Sequence, residues 1–183
     1  MKKALLIVSM VLVAHAAAVA HAAEPSLDVL LAGGSEANTI SIALSADGRS
    51  YAIESASPLE VGGNVCWHPE GKQNALLCEA ASIAGFEVNS GGGDDVVNVA
   101  RGVSIPVTLR GGPGNDKLVG GAGDDKLIGG AGDDILVGRA GNDSLFGGPG
   151  DDRLIGGPGN DSLHGEAGED VLIGGSGENE LVQ

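Results

Sequence analysis

The sequence predicts an all-β fold wound as a solenoid of short repeats, and three observations predict it. From Gly111 to Val182 the chain divides without insertion into eight nonapeptides, beginning GGPGNDKLV, GGAGDDKLI and GGAGDDILV. Positions one and four are Gly and position eight is Leu in all eight, while position six is Asp in seven and Asn179 in the last. Glycine supplies 33 residues and aromatic side chains only 2%, which excludes a core filled by large rings. A nine-residue unit cannot bury its own leucine, so successive units must stack.

Along the chain, Met1–Lys2–Lys3, the apolar run ALLIVSMVLV and the small residues AHAAAVAHAA read as a secretory signal peptide over residues 1–22, with cleavage between Ala22 and Ala23. No membrane span is expected once it is removed. Residues 23–110 form a β-rich segment. GGSEANTISIAL (33–44) and SGGGDDVVNVA (90–100) resemble worn copies of a turn-then-strand unit, and Asp95 falls in the aspartate position. SYAIESA and SIPVTLR read as strands, with ADG at 46–48 as a turn. The segment is expected to continue the solenoid in degenerate form, or to cap it. Cys66 and Cys78, in an exported chain, read as a disulfide, against the alternative of zinc on Cys66, His68 and Cys78. Residues 111–183 are the repeat array, in which each three-residue strand (KLI, ILV) follows a glycine turn and directs Leu inward.

The chain carries 25 acidic against 10 basic residues, a formal net charge of −15. That balance argues against nucleic acid or an anionic membrane surface as partner and calls for cations. The array holds 14 of the acids and four of the bases. Glycine turns can aim several carbonyl oxygens at one point, and a carboxylate beside them completes an oxygen cage. Six to eight oxygens in flexible geometry suit Ca²⁺, whereas Mg²⁺ demands a stricter octahedron. The array is therefore expected to bind calcium and to be disordered without it.

The eight nonapeptides in register resemble the repeat-in-toxin (RTX), or hemolysin-type, calcium-binding repeats. The resemblance implies a parallel β-roll in which two nonapeptides make one coil and each Ca²⁺ lies between turns two repeats apart on the same edge. It places Asp116, Asp134, Asp152 and Asp170 on one edge and Asp125, Asp143, Asp161 and Asn179 on the other. Up to about six ions would then be held, with the Asn179 site weakest for want of a full charge. The turn carbonyls implied as further ligands are those of Gly111, Gly114, Gly120, Gly123, Gly129, Gly132, Gly138, Gly141, Gly147, Gly150, Gly156 and Gly159. Asp124, Asp133 and Asp151 at position five are expected only to add field, and Asp94 with Asp95 is a candidate for another ion. Arg139 and Glu166 break the position-two glycine, so a change of local turn geometry is expected there.

Neither an HExxH zinc motif nor a GxSxG nucleophile elbow occurs. His68 reads as a loop residue and His164 as a strand-surface residue. The expectation is an exported, non-catalytic calcium-binding protein, extracellular or periplasmic. The alternatives are a calcium-ordered adhesion module, with a cell surface, a glycan or a second copy as partner, and an accessory of a lytic enzyme.

Overall fold

The computed structural model describes residues 28–32, 35–55, 60–61, 66–70, 72, 74–80 and 83–183, so the expected signal peptide at 1–22 lies outside the described residues. Among these, seventeen strands form two sheets and there is no α-helix. One sheet holds β1 (Asp28–Ala32), β4 (Glu60–Val61), β7 (Gly85–Asn89), β9 (Val107–Pro113), β11 (Lys126–Ala131), β13 (Ser144–Pro149), β15 (Ser162–Ala167) and β17 (Glu180–Val182). The other holds β2 (Thr39–Leu44), β3 (Ser50–Ser55), β5 (Cys66–Trp67), β6 (Ala75–Glu79), β8 (Val96–Val99), β10 (Lys117–Val119), β12 (Ile135–Val137), β14 (Arg153–Pro158) and β16 (Val171–Ser176). From β7 onward the chain alternates between the sheets, and every pairing is parallel. From β7 onward the protein is a parallel β-roll, with two nonapeptides per coil in the array.

Register follows the leucines. Leu118, Leu136, Leu154 and Leu172 align in one sheet; Leu109, Leu127, Leu145, Leu163 and Leu181 align in the other. Leucines 118 to 163 are fully buried, and each stabilises the roll by about 1.5–3 kcal/mol. Leu172 is half-buried and Leu181 is 49% exposed, because no further coil of the described chain lies over them.

One expectation needs correction and another becomes more specific. Several strands of the array run six residues rather than three, since the first residues of the following repeat stay in the ladder, as Gly130↔Gly112 and Ala131↔Pro113 do. Without side chains at these glycines, neighbouring coils approach closely enough to keep pairing. The N-terminal part is also only partly a solenoid. Strands β1 and β2 lie parallel on β7 and β8, but β3, β5 and β6 pair antiparallel, and so does β4 on β1. This excursion turns at Asp47–Gly48, where Gly48 takes a positive φ of 69° and the Gly48 amide donates to the Ser45 carbonyl. Tyr51 packs edge-on against Phe86 at 5.1 Å, within a cluster that includes Ile40, Ile42, Ile53 and Leu76. Cys66 and Cys78 face each other across β5 and β6 and form a disulfide, which replaces the zinc alternative. His68 hydrogen-bonds through Nδ1 with the Ala75 carbonyl.

Candidate metal centres

Position-six side chains sit where each turn re-enters a strand, two residues before the buried leucine. Asp116, Asp125, Asp134, Asp143, Asp152 and Asp161 are each no more than 2% exposed, and Asp170 is half-buried. Their two oxygens have separate surroundings. Oδ1 accepts the backbone N–H of the position-six residue one coil earlier: Asp134 from Asp116 (2.7 Å), Asp152 from Asp134 (2.7 Å) and Asp170 from Asp152 (2.9 Å). The other edge repeats this, with Asp143 accepting from Asp125, Asp161 from Asp143 and Asn179 from Asp161. The sequence-predicted residues are thus brought together on the two edges.

Oδ2 is the exception to the rule that buried polar atoms are hydrogen-bonded. In Asp116, Asp134, Asp143, Asp152, Asp161 and Asp170 this oxygen is buried without a hydrogen-bond partner among the described residues. It lies over the position-one glycine of its own repeat, and at Asp116, Asp134, Asp152 and Asp161 the position-one carbonyl of the following coil is beside it. A Cβ on Gly129 would fall 2.2 Å from Asp134 Oδ2 and 2.8 Å from the Gly147 oxygen; on Gly147, 2.2 Å from Asp152 Oδ2 and 2.8 Å from the Gly165 oxygen. The same pairing joins Asp116 with Gly129, Asp125 with Gly138 and Asp161 with Gly174. In the array glycine at position one keeps this space open, since a Cβ there would fall within 2.1–2.4 Å of the Asp Oδ2. Gly165 and Gly174 extend the predicted carbonyl set, and the period of nine could have supplied them. The position-four carbonyls instead face the next coil's position-four glycine, as Gly114 faces Gly132 and Gly132 faces Gly150.

A carboxylate oxygen with carbonyl oxygens beside it is a hard donor set that fits Ca²⁺. Among the described residues no three His, Cys, Asp or Glu side chains cluster as a metal set. The remaining donors around an ion would therefore be backbone oxygens and water. Without a cation, burial pushes the position-six acids up: Asp134 and Asp143 to about 7 and Asp125 to about 6, with Asp116, Asp152 and Asp161 also raised. Desolvation leads in each case, and neighbouring carboxylates add to it at Asp134 and Asp143. Asp125 rises less because its Oδ2 accepts the Gly121 N–H (2.7 Å), Val107 N–H meets its Oδ1 and Arg139 is near.

Position five behaves differently. Its Oδ1 accepts from the coil that follows, as Asp133 does from Asp151 N–H (3.0 Å) and Asp124 from Asn142 N–H (2.7 Å). Asn115 and Asn160 accept in the same manner from Asp133 and Glu178. One oxygen suffices there, so Asn and Asp interchange; these acids do more than add field. At position six Asn179 offers only Oδ1, and its Nδ2 occupies the place that Oδ2 takes elsewhere, donating to the Gly175 carbonyl at 3.3 Å.

The sequence alone does not foresee the role of Arg139. It holds a positive φ of 85°, and its guanidinium donates to the Val99 and Gly120 carbonyls and to Asn98 Oδ1. A resident cation thus braces this edge beside turn 100–106, which carries no carboxylate.

Residues 110–145 and 146–181 match the RTX calcium-binding nonapeptide repeat (4 copies), about two-fifths of the chain. No curated protein and no solved structure matches. The match covers the coils whose buried carboxylates and glycine carbonyls have just been described. Residues 110–181 of this chain are RTX-type calcium-binding nonapeptide repeats.

Proposed function

We propose that this is an exported, non-catalytic protein whose β-roll folds on binding several calcium ions between its coils. The ions are held by position-six Asp116, Asp125, Asp134, Asp143, Asp152, Asp161 and Asp170, with position-one glycine carbonyls beside them. Asn179 contributes least, and up to about six ions are bound. The single observation that carries this reading is the set of buried Oδ2 oxygens without a hydrogen-bond partner, those of Asp116, Asp134, Asp152 and Asp161 beside a glycine carbonyl of the following coil. A divalent cation supplies the positive charge that makes burial of ionised carboxylates favourable, and without it their mutual repulsion opposes the stacked state. Residues 23–110 act as a cap on the array at 111–183. Export rests on the signal-like residues 1–22; no helix among the described residues is long and apolar enough to cross a membrane.

Far-UV circular dichroism during a calcium titration, with magnesium as control, tests this. The β signal is expected to appear with calcium at concentrations where magnesium is inert, and a chain carrying Asp134→Ala and Asp152→Ala should need more calcium. A chain fully folded in chelator and indifferent to calcium would overturn the reading. Non-catalysis is supported by the absence of recognised catalytic motifs in the sequence. His164 is stacked on Phe146 at 5.0 Å and hydrogen-bonded to Ser162, in a surface column of position-nine side chains.

A further inference from the structure

The turn at residues 90–95 lies outside the residues matched as RTX repeats, and three extra residues separate it from the array. Asp95 precedes Asp116 by 21 positions, whereas successive position-six residues on one edge are 18 apart. Its local structure nevertheless reproduces a repeat turn. Gly91 and Gly93 take φ of 104° and 98°, as Gly112 and Gly114 do at 115° and 139°. Val97 lies in register under Leu118 and is fully buried, so Asp95 stands two residues before a core side chain, in the place of Asp116. Asp94 accepts Asn115 N–H as a position-five residue should. Asp95 Oδ1 accepts Asn38 N–H at 2.6 Å, and the Asp95 amide donates to Asp116 Oδ1 at 2.8 Å, which extends the carboxylate ladder one coil beyond the array, with the Asn38 amide at its end.

The decisive atom is Asp95 Oδ2. Asp95 is 1% exposed, and this oxygen is buried with no hydrogen-bond partner among the described residues. One difference separates the turn from the others. Position one is Ser90 rather than glycine, fully buried, with its hydroxyl 3.1 Å from the Arg110 carbonyl and 3.2 Å from the Gly111 carbonyl. By register, the Gly111 oxygen stands to Asp95 as the Gly129 oxygen stands to Asp116. A serine hydroxyl can rotate its proton away and present a lone pair, so it is a donor oxygen where a larger apolar side chain would be an obstruction.

We propose that turn 90–95 is a further calcium site, with Asp95 Oδ2, the Ser90 hydroxyl and the Gly111 carbonyl among its ligands. The proposal rests on the reading that position-six carboxylates hold calcium. Its place in the fold also gives the site a distinct role, since an ion here joins the array to the coil that carries β2, and through β2 to the disulfide-bearing antiparallel excursion. Calcium would then order the cap as well as the repeats.

Bound calcium per chain, counted by equilibrium dialysis on the full-length protein with calcium chloride, distinguishes the outcomes. Asp95→Asn keeps the Oδ1 acceptor for Asn38 and should bind one ion fewer than the unaltered chain, with Asp134→Asn as the control inside the array. An unchanged count for D95N beside a reduced count for D134N overturns this site and leaves the proposed function standing. Unchanged counts for both overturn the proposed function itself. Should D95N not reach the folded circular-dichroism signal at saturating calcium, Ser90→Ala decides. It removes only the hydroxyl, and one site weakened by threefold or more supports the proposal, whereas an unaltered titration overturns it.

Discussion

At positions five and six the same side-chain types do different work, because position five uses one oxygen and position six has two to place. Asp133→Asn should therefore leave the calcium titration within about twofold, since Asn already serves at 115, 142 and 160. Asp134→Asn keeps the ladder but loses the orphaned oxygen, and should raise the calcium midpoint about tenfold, the equivalent of ~1.4 kcal/mol. Titrations followed by circular dichroism would separate the two. Position two offers a second contrast. Arg139 and Glu166 both hold positive φ, 85° and 76°, a conformation that costs a non-glycine residue about 1–2 kcal/mol. Glu166→Gly should recover about 1 kcal/mol in thermal melts. Arg139→Gly should not, because the guanidinium donates to two carbonyls, and a charged hydrogen bond is worth about 1.5–3 kcal/mol.

On the proposed reading, each turn with a buried position-six aspartate binds either a proton or calcium. An acid whose folded pKa is raised takes up a proton on folding when no cation is present. Its contribution to the metal-free fold is full below its unfolded pKa of about 3.9 and is lost as pH rises through the folded value. For Asp134 and Asp143 that value is about 7, and for Asp125 about 6. In metal-free buffer the chain should therefore gain β signal as pH is lowered from 8 to 5, while the calcium needed for folding at pH 5.5 should exceed that at pH 8. A metal-free signal that increases with pH over this range would contradict the assignment. Most of this element was legible in the sequence: glycine, aspartate and leucine recur at fixed positions, and each column answers to one physical demand. Arg139 was not legible as a brace, because its contacts lie at residues 98, 99 and 120, two coils and one coil away. The place of Asp95 was legible from SGGGDDVVNVA, but its register with Asp116 was not, since three residues inserted on the opposite edge hide the period.

Across the described residues, a regular roll is joined to an antiparallel excursion of β3, β5 and β6. The antiparallel direction of β3, β5 and β6 lay beyond the sequence. Nothing in SYAIESA marks it as the return arm of a hairpin rather than the next solenoid strand. The disulfide closes this arm over a separation of 12 residues, and a loop of that size is worth about 3 kcal/mol in the chain-entropy model. Reduction, or Cys66→Ser with Cys78→Ser, should lower the thermal midpoint of the cap and leave the ions of the array in place, as read by melts and by calcium counts on the same samples. On the proposed reading the array depends on charge more than on core, since its first six repeats each bury one leucine and one carboxylate. Calcium-bound crystals, with the ions located by anomalous scattering, probe that dependence without an intermediary. Peaks are expected beside Oδ2 of Asp116, Asp134 and Asp152 on one edge and of Asp125, Asp143 and Asp161 on the other, each next to a position-one glycine carbonyl of the following coil. Peaks confined to the exposed position-five acids, with the position-six Oδ2 atoms hydrogen-bonded to protein donors, would show that the buried carboxylates are not the calcium ligands.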